Sequence, residues 1–313
     1  MSTEGATSQS GLKSTEWPGV REWLRRAAPG NRPADAGRAW QIFLRKPGGV
    51  IGLLILVALV VLAVTASWIY PGDPLASVAQ PMLWPGQSPA YPLGTDSLGR
   101  DLASAVVHGA STSLRVGGTA AFVGVSIGII LGSLSGYFGG FVDALITRIT
   151  ELFQTTPTFL LVVVLVALLQ PNATVISLAI GLTTWQSISR LVRAEFRQLL
   201  QSDFVTAARS SGFGTFRIIV REILPNVVPS IVVMISYNVA VAIFMESSLA
   251  FLGLGDPNTV SWGGMINEGR DFLRTAWFLT AIPGAAIVAT ILALNLVGDA
   301  LNDALNPRLR RVL

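Results

Sequence analysis

The chain has 313 residues, of which 51% are hydrophobic and only 13% are charged, and its mean hydropathy is +0.58. These proportions exclude an ordinary soluble domain of this length and indicate a membrane protein. The absence of cysteine excludes disulfides, thiolate metal sites and a cysteine nucleophile. The formal net charge of +4 does not indicate a nucleic-acid partner, because the basic residues sort by membrane side and form no compact patch interleaved with aromatic residues.

Charge-free stretches long enough to cross roughly 30 Å of hydrocarbon define the predicted spans. They cover residues 47–72, 116–142, 152–189, 223–245 and 275–298. The third stretch holds two helices, because Gln170-Pro171-Asn172 divides it into halves of about 18 residues. The sequence therefore predicts an all-α membrane protein with six transmembrane helices.

The distribution of basic residues predicts the orientation of these helices. With both termini in the cytoplasm, 18 of the 22 lysines and arginines lie on the cytoplasmic side, where such residues are retained. The predicted parts are a cytoplasmic arm (1–47), the first transmembrane helix (48–70), an extracytoplasmic loop (71–110), a five-helix core (111–305) with a cytoplasmic docking loop (190–226), and a cytoplasmic tail (306–313). Within the arm, Ala34 to Lys46 is either a short amphipathic helix in the membrane surface or a plain basic flank. Because the first apolar stretch follows this arm, we expect an uncleaved anchor rather than a signal peptide.

In the extracytoplasmic loop, Asp96, Arg100 and Asp101 stand close together. We expect them to cap a helix that begins near Ser97 and to offer a contact for a soluble partner outside the membrane. A locally satisfied network of turn hydrogen bonds is the alternative.

The second span carries glycine at every fourth position, a spacing that lets helix backbones approach closely in lipid. These residues are Gly124, Gly128, Gly132 and Gly136. We expect this helix to be centrally packed, within one subunit or between two. A tight turn follows at Gly139-Gly140.

A few charged residues lie near or inside the spans. Arg148 and Glu151 are three residues apart and predict an ion pair at a helix end. Glu246 ends the predicted fifth span, where it either lines a translocation path near the outer mouth or is hydrogen-bonded to Ser247, Ser248 or a neighbouring turn. Asp299 and Asp303, spaced by four, favour capping or pairing with the terminal arginines over metal binding.

The polar segment 203–225 predicts a short exposed helix. Ser202 or Asp203 is a suitable N-cap, residues 204–211 give about two turns, and Gly212 suits a left-handed stop. Ala207 and Ala208 leave a flat surface that another protein can approach, so we expect Ala208→Glu to uncouple that partner without preventing assembly.

This segment resembles the cytoplasmic signature of the permease subunits of ATP-binding-cassette (ABC) importers. The signature reads Glu-Ala-Ala, three residues, Gly, nine residues, Ile, one residue, Leu-Pro, and here Ala207, Ala208, Gly212, Leu224 and Pro225 match in register. Thr206 replaces the usual glutamate and Glu222 the usual isoleucine. Further segments resemble the C-type subunit of the dipeptide and oligopeptide branch: residues 92–101, 136–140, 251–255, 261–263, 295–299 and 306–309.

The resemblance implies a type I ABC importer fold in the bacterial inner membrane. It implies that Asp203, Thr206, Ala207, Ala208, Arg209, Gly212, Leu224 and Pro225 form the docking site for the ATPases. The implied partners are a related permease in a heterodimer, two ATPase subunits and an extracytoplasmic binding protein, and the implied cargo is a dipeptide or oligopeptide. Because the sequence contains no Gly-x-x-x-x-Gly-Lys-Ser/Thr loop, ATP and Mg²⁺ are expected on the partner subunits, with no cofactor or metal on this chain.

Three alternatives remain open. The same mechanism can carry nickel or another small solute, and a membrane scaffold explains the docking helix equally well. An intramembrane enzyme built on His108, Glu246 or Ser247 is disfavoured, because no Ser-His-Asp set or metal-ligand cluster shares a membrane depth.

Overall fold

The computed structural model describes residues 36–305, which fold into helices joined by short turns and one long ordered loop. The helices are α1 (Ala36–Leu44), α2 (Pro47–Ile69), α3 (Leu102–Phe138), α4 (Gly140–Thr155), α5 (Thr158–Leu169), α6 (Ala173–Leu199), α7 (Asp203–Ser210), α8 (Thr215–Phe251), α9 (Trp262–Gly269) and α10 (Phe278–Leu305). Within this part of the chain five helices are long and apolar enough to span a membrane, namely α2, α3, α6, α8 and α10. The bent pair α4–α5 brings the total to six, as predicted.

The span formed by α4 and α5 differs from the single helix predicted from residue 152. The two helices meet at an angle of 84°. Thr156 is extended, with φ −94° and ψ 128°, because a residue before proline avoids the helical region, and Pro157 lacks the N–H that a continuous helix needs. The predicted break at Gln170-Pro171-Asn172 is confirmed, and the Asn172 side chain caps α6 by accepting from the Val175 N–H at 2.9 Å.

Two span boundaries also differ from the prediction. Helix α3 begins at Leu102, capped by the Asp101 carboxylate, which accepts from the Ala103 N–H at 2.9 Å, so no helix begins near Ser97. It extends across the predicted loop boundary at residue 110 and measures roughly 55 Å at 1.5 Å per residue. Helix α8 continues through Glu246 to Phe251, so this carboxylate lies within a helix rather than at its end.

The glycine stripe of α3 packs against α6 of the same chain. A Cβ on Gly128 would lie 2.7 Å from the Ile188 Cβ, and one on Gly132 would lie 2.6 Å from the Ser189 carbonyl oxygen. The expectation of a centrally packed helix is thus confirmed, and the stripe contacts a helix of its own subunit. Gly139 and Gly140 then turn the chain with φ of +63° and +50°.

The first and last helices are joined side by side. Phe43 of α1 is 2% exposed and packs against Ala300 and Ala304 of α10. The Lys46 ammonium lies 2.6 Å from the Asp303 carboxylate, which gives this acid a partner that the sequence had not indicated. The expected partners in the C-terminal tail lie outside the described residues.

Helix α8 begins with one α turn, Thr215–Arg217, and then widens into a π segment, Ile218–Ile223. Pro225 follows after one further residue and cannot donate a backbone hydrogen bond into the preceding turn, so a widened register suits this position. The helix then continues unbroken, which connects α7 directly to the opposite end of the bundle.

Candidate functional site

The candidate docking helix α7 is closed by a Schellman motif. The Phe213 N–H bonds to the Ala208 carbonyl at 3.1 Å, and the Gly212 N–H bonds to the Arg209 carbonyl at 2.9 Å, with Gly212 at φ +77°. The predicted left-handed stop is confirmed. At the other end Ser202 occupies the N-cap position, but its hydroxyl donates to the Leu199 carbonyl instead of accepting from the helix.

The two alanines of this helix differ in their exposure to solvent. Ala207 is exposed, together with Asp203, Thr206 and Arg209. Ala208 is only 6% exposed and, with Val205 at 0%, packs in a core that includes Phe196, Ile218 and Ile223. The expectation that the Ala208 side chain faces a partner is therefore corrected: because the helix lies flat on its own subunit, only the Ala207 face is free.

Aromatic contacts attach this segment to the ends of the long helices. The Arg209 guanidinium carbon lies 5.8 Å from the centroid of the Tyr137 ring at the end of α3, and that of Arg217 lies 3.7 Å from the centroid of Phe213. Phe216 is 79% exposed beside them and adds an apolar element that sequence reasoning missed. Leu224 is half-buried against the same core, whereas Pro225 is exposed.

A buried carboxylate at this end of the bundle was also missed. Asp143 of α4 accepts from the Ser135 hydroxyl at 2.5 Å and from Arg193 Nε and Nη2 at 2.5 and 2.8 Å, and it also binds Arg197. It thus ties α3, α4 and α6 together. The predicted pair of Arg148 and Glu151 forms at 3.2 Å but is exposed.

At the opposite end, Asp96, Arg100 and Asp101 are engaged within the subunit. Asp96 Oδ1 accepts from the N–H groups of Leu98 and Arg100, both at 2.8 Å, and Asp101 caps α3. Arg100 Nη1 lies 3.3 Å from Glu268 of α9 and closes a bridge over a cavity of about 210 Å³. Asp96, Arg100 and Glu268 line this cavity, whereas Asp101 does not.

Glu246 is 3% exposed and hydrogen-bonded on several sides. Its Oε2 accepts from the Ser113 hydroxyl of α3 at 3.1 Å and from the Ser247 hydroxyl at 3.3 Å, and the Ser261 hydroxyl, at the N-cap of α9, lies beside the same carboxyl group. The Ser248 hydroxyl instead donates to the Phe244 carbonyl of its own helix at 2.7 Å. One carboxyl group therefore joins α3, α8 and α9.

The residues considered for enzyme chemistry serve other contacts. His108 Nε2 lies 3.1 Å from the Tyr70 carbonyl oxygen, and Ser247 is bonded to Glu246. Within residues 36–305 no group of three or more His, Cys, Asp or Glu side chains is placed to hold a metal ion.

Comparison with known proteins identifies the family. A family model described as the binding-protein-dependent transport system inner membrane component matches residues 128–311, more than half of the chain. The chain belongs to this family. A second model, the N-terminal TM domain of oligopeptide transport permease C, matches residues 36–89 of the permease.

Relatives of this permease align along most of its length. The di/tripeptide transport system permease protein DppC of Pseudomonas aeruginosa is 36% identical over 284 residues, covering 89% of this chain and 94% of the relative. The dipeptide transport system permease protein DppC of Bacillus subtilis is 36% identical over 302 residues, covering 93% and 94%. The glutathione transport system permease protein GsiD of Pectobacterium atrosepticum is 35% identical over 300 residues, covering 93% and 100%.

A solved structure shares the fold. A chain of the inward-facing MetNI methionine ABC transporter aligns with a TM-score of 0.53 at 16% identity, covering 64% of this permease and 96% of that chain. The predicted type I importer fold, the C-type branch and the location as a multi-pass protein of the bacterial inner membrane are confirmed. The permease is a membrane component of an ABC importer rather than an enzyme.

Proposed function

We propose that the permease forms half of the transmembrane path for dipeptides or short oligopeptides and is driven by ATPase subunits that dock on α7. This proposal rests on the way α7 packs: one face buries Val205 and Ala208 in its own subunit, and the other leaves Ala207 accessible. A small side chain at the centre of an exposed helical face allows close approach of a partner backbone. The flanking Thr206 and Arg209 offer polar contacts at the rim.

The same segment supports the proposed orientation. Arg190, Arg193, Arg197, Arg209, Arg217 and Arg221 cluster around α7 at one end of the bundle. This concentration favours a cytoplasmic position for α7, where the ATPases lie, and an outward position for α9 and the cavity near Arg100. A binding protein then delivers cargo to that outward surface, and a homologous permease completes the path as the other half of a heterodimer.

The proposed cargo is a short peptide, because the relatives named above are di/tripeptide, dipeptide and glutathione permeases. Proteoliposomes that contain the whole transporter should accumulate labelled dipeptide only under three conditions. The ATPase docking sites must be intact, binding protein must be present outside, and ATP must be supplied. Uptake of nickel but not of peptide would show that the cargo is nickel. An intact assembly that transports neither solute would favour the membrane-scaffold alternative.

The docking role is tested by charge insertion at the two alanines. Ala207→Glu places a bulky charge on the exposed face and should lower uptake by about tenfold or more, as expected for an interface hot spot, while thermal stability is retained. Ala208→Glu should instead destabilise the segment, because its carboxylate would enter the core without a partner. Normal uptake by Ala207→Glu would contradict docking at this face.

A further inference from the structure

The short helix α9 at the end of the bundle opposite α7 is held by an unusual set of contacts. Trp262 is fully buried, and its indole N–H donates to the Val106 carbonyl of α3 at 2.9 Å. A Cβ on Gly109 would lie 2.9 Å from the Trp262 ring, and one on Gly263 would collide with the Ser247 backbone. The beginning of α9 is thus fitted closely between α3 and α8.

At this junction Glu246 supplies the polar contacts. Its carboxyl group accepts from the hydroxyls of Ser113 of α3 and Ser247 of α8, and it lies beside Ser261, whose Oγ caps α9 by accepting from the Gly264 N–H at 3.2 Å. A buried acid is costly unless its oxygens are satisfied, and here the neighbouring hydroxyls come from three different helices. If α9 moves away, Glu246 loses the neighbouring Ser261 hydroxyl.

Helix α9 also borders the outer cavity. Ser261 and Glu268 both line this space of about 210 Å³, together with Asp96 and Arg100 from the loop before α3. The Ser261 side chain beside Glu246 therefore also faces the cavity, so displacement of α9 would widen the cavity and change the surroundings of Glu246 together.

The docking helix and this junction are connected by one continuous helix. Helix α8 starts at Thr215, two residues past the Schellman turn, and Glu246 lies 31 residues further along, roughly 45 Å away at 1.5 Å per residue. A shift of α7 can reach Glu246 through α8, because Val205 and Ala208 of α7 pack in one core with Ile218 and Ile223 of α8.

We propose that Glu246 is a positioning residue that latches α9 against α3 and α8, and that release of α9 opens the outward end of the permease. The inference rests on the proposed import function and assigns the outward gate to α9. In the resting complex the latch keeps α9 closed; when the ATPases move α7, the shift of α8 separates Glu246 from its partners on α3 and α9. Glu246 then acts through α9 and does not need to contact cargo.

Spin-label distances in the resting complex test the latch directly. Because the chain has no cysteine, Gly118→Cys on α3 and Asp271→Cys just after α9 provide two labelling sites that are unique within this chain, and both positions are exposed. Wild type should give one narrow distance distribution. Glu246→Ala should add a second, longer distance whose population rises roughly fivefold or more, as expected when hydrogen bonds to a charged group are lost. Glu246→Gln keeps an acceptor oxygen and the side-chain volume and should restore most of the wild-type distribution.

A functional readout separates a latch from a merely structural role. Glu246→Ala should raise ATP hydrolysis in the absence of binding protein several-fold, whereas Ser248→Ala, a neighbouring residue that bonds only within its own helix, should match wild type. If Glu246→Ala does not assemble, Ser113→Ala removes one partner with little loss of volume and should shift the distances in the same direction by a smaller amount.

Several outcomes would overturn the proposal. If the assembled Glu246→Ala variant shows unchanged distances, Glu246 does not hold α9. If only Ser113→Ala assembles, unchanged distances in that variant lead to the same conclusion. Loss of uptake in both Glu246→Ala and Glu246→Gln with unchanged distances would make Glu246 a contact for cargo instead. The distances are measured without cargo or hydrolysis, so failure of wild-type peptide uptake would contradict the proposed function and leave this test intact.

Discussion

Asp143 shows how a single residue fixes the end of the bundle that carries α7. Its side chain is 12% exposed and binds Ser135, Arg193 and Arg197, whereas the side chains of the nearby Arg148–Glu151 pair are 82% and 54% exposed. Ion pairs exposed to water contribute little to stability. Removal of a buried carboxylate, in contrast, leaves the charge of its basic partners uncompensated. The contacts of Asp143 therefore matter more for stability than the pair that the sequence made visible.

Asp143→Ala should lower the free energy of unfolding by about 1–3 kcal/mol, less than for a fully buried pair because both arginines reach solvent. Glu151→Ala on the same helix is the matched control and should leave stability nearly unchanged. Thermal unfolding of the solubilised protein, followed by tryptophan fluorescence, measures both. Equal melting temperatures for the two variants would show that Asp143 does not carry this role.

Gly212 is the second decisive residue. Its φ of +77° is unfavourable for a β-branched side chain, whereas Gly214 has φ −68° and ψ 155°, and a Cβ would meet nothing within 4 Å at either position. Gly212→Val should therefore displace α7, at a cost of about 1–2 kcal/mol or more, and reduce ATP-driven uptake. Gly214→Val should leave the fold of α7 intact, as limited proteolysis of the segment can show; equal protease sensitivity would contradict the argument.

At the residue scale, the sequence predicted the positions that local geometry determines. Gly212 and the Arg148–Glu151 pair depend on neighbours a few residues away and could be predicted. The burial of Ala208 depends on Phe196 and Ile223, and the pairing of Asp143 depends on arginines at least 50 residues further along, so neither follows from local spacing.

At the scale of elements, the packing of α3 on α6 determines the centre of the bundle. The four-residue glycine spacing brings the two backbones together along their length, and each added Cβ would meet the facing helix. The sequence predicted this close packing because it is a property of one helix. The bend at Thr156 and Pro157 and the start of α3 at Leu102 were missed, because hydropathy marks the apolar centre of a span and not its ends.

Gly132→Val should separate α3 from α6, since its side chain would lie against the Ser189 carbonyl and Val192. Overpacking of this kind costs about 1–3 kcal/mol. The control is Gly118→Val on the same helix, where a Cβ meets nothing within 4 Å. Melting temperatures of the two variants should differ clearly, and a Gly132→Val protein as stable as its control would mean that the helices do not pack as described.

At the scale of the whole molecule, the permease joins two distant surfaces through rigid elements. Helix α7 lies at one end, the cavity near Arg100 lies at the other, and α8 runs between them. The family and its importer branch were recognisable from ordered short motifs, because segment 203–225 and the glycine turns constrain the sequence locally. The face of α7 that remains free required the folded structure, since only tertiary packing distinguishes Ala207 from Ala208.

Site-specific photocrosslinking from α7 tests this account most directly. A photoreactive residue at position 207 in the assembled transporter should crosslink to a nucleotide-hydrolysing subunit, whereas one at position 208 should react within its own chain and one at position 118 should not reach the ATPases. Absence of any crosslink from position 207 to an ATPase, in a complex shown to contain one, would contradict the central claim.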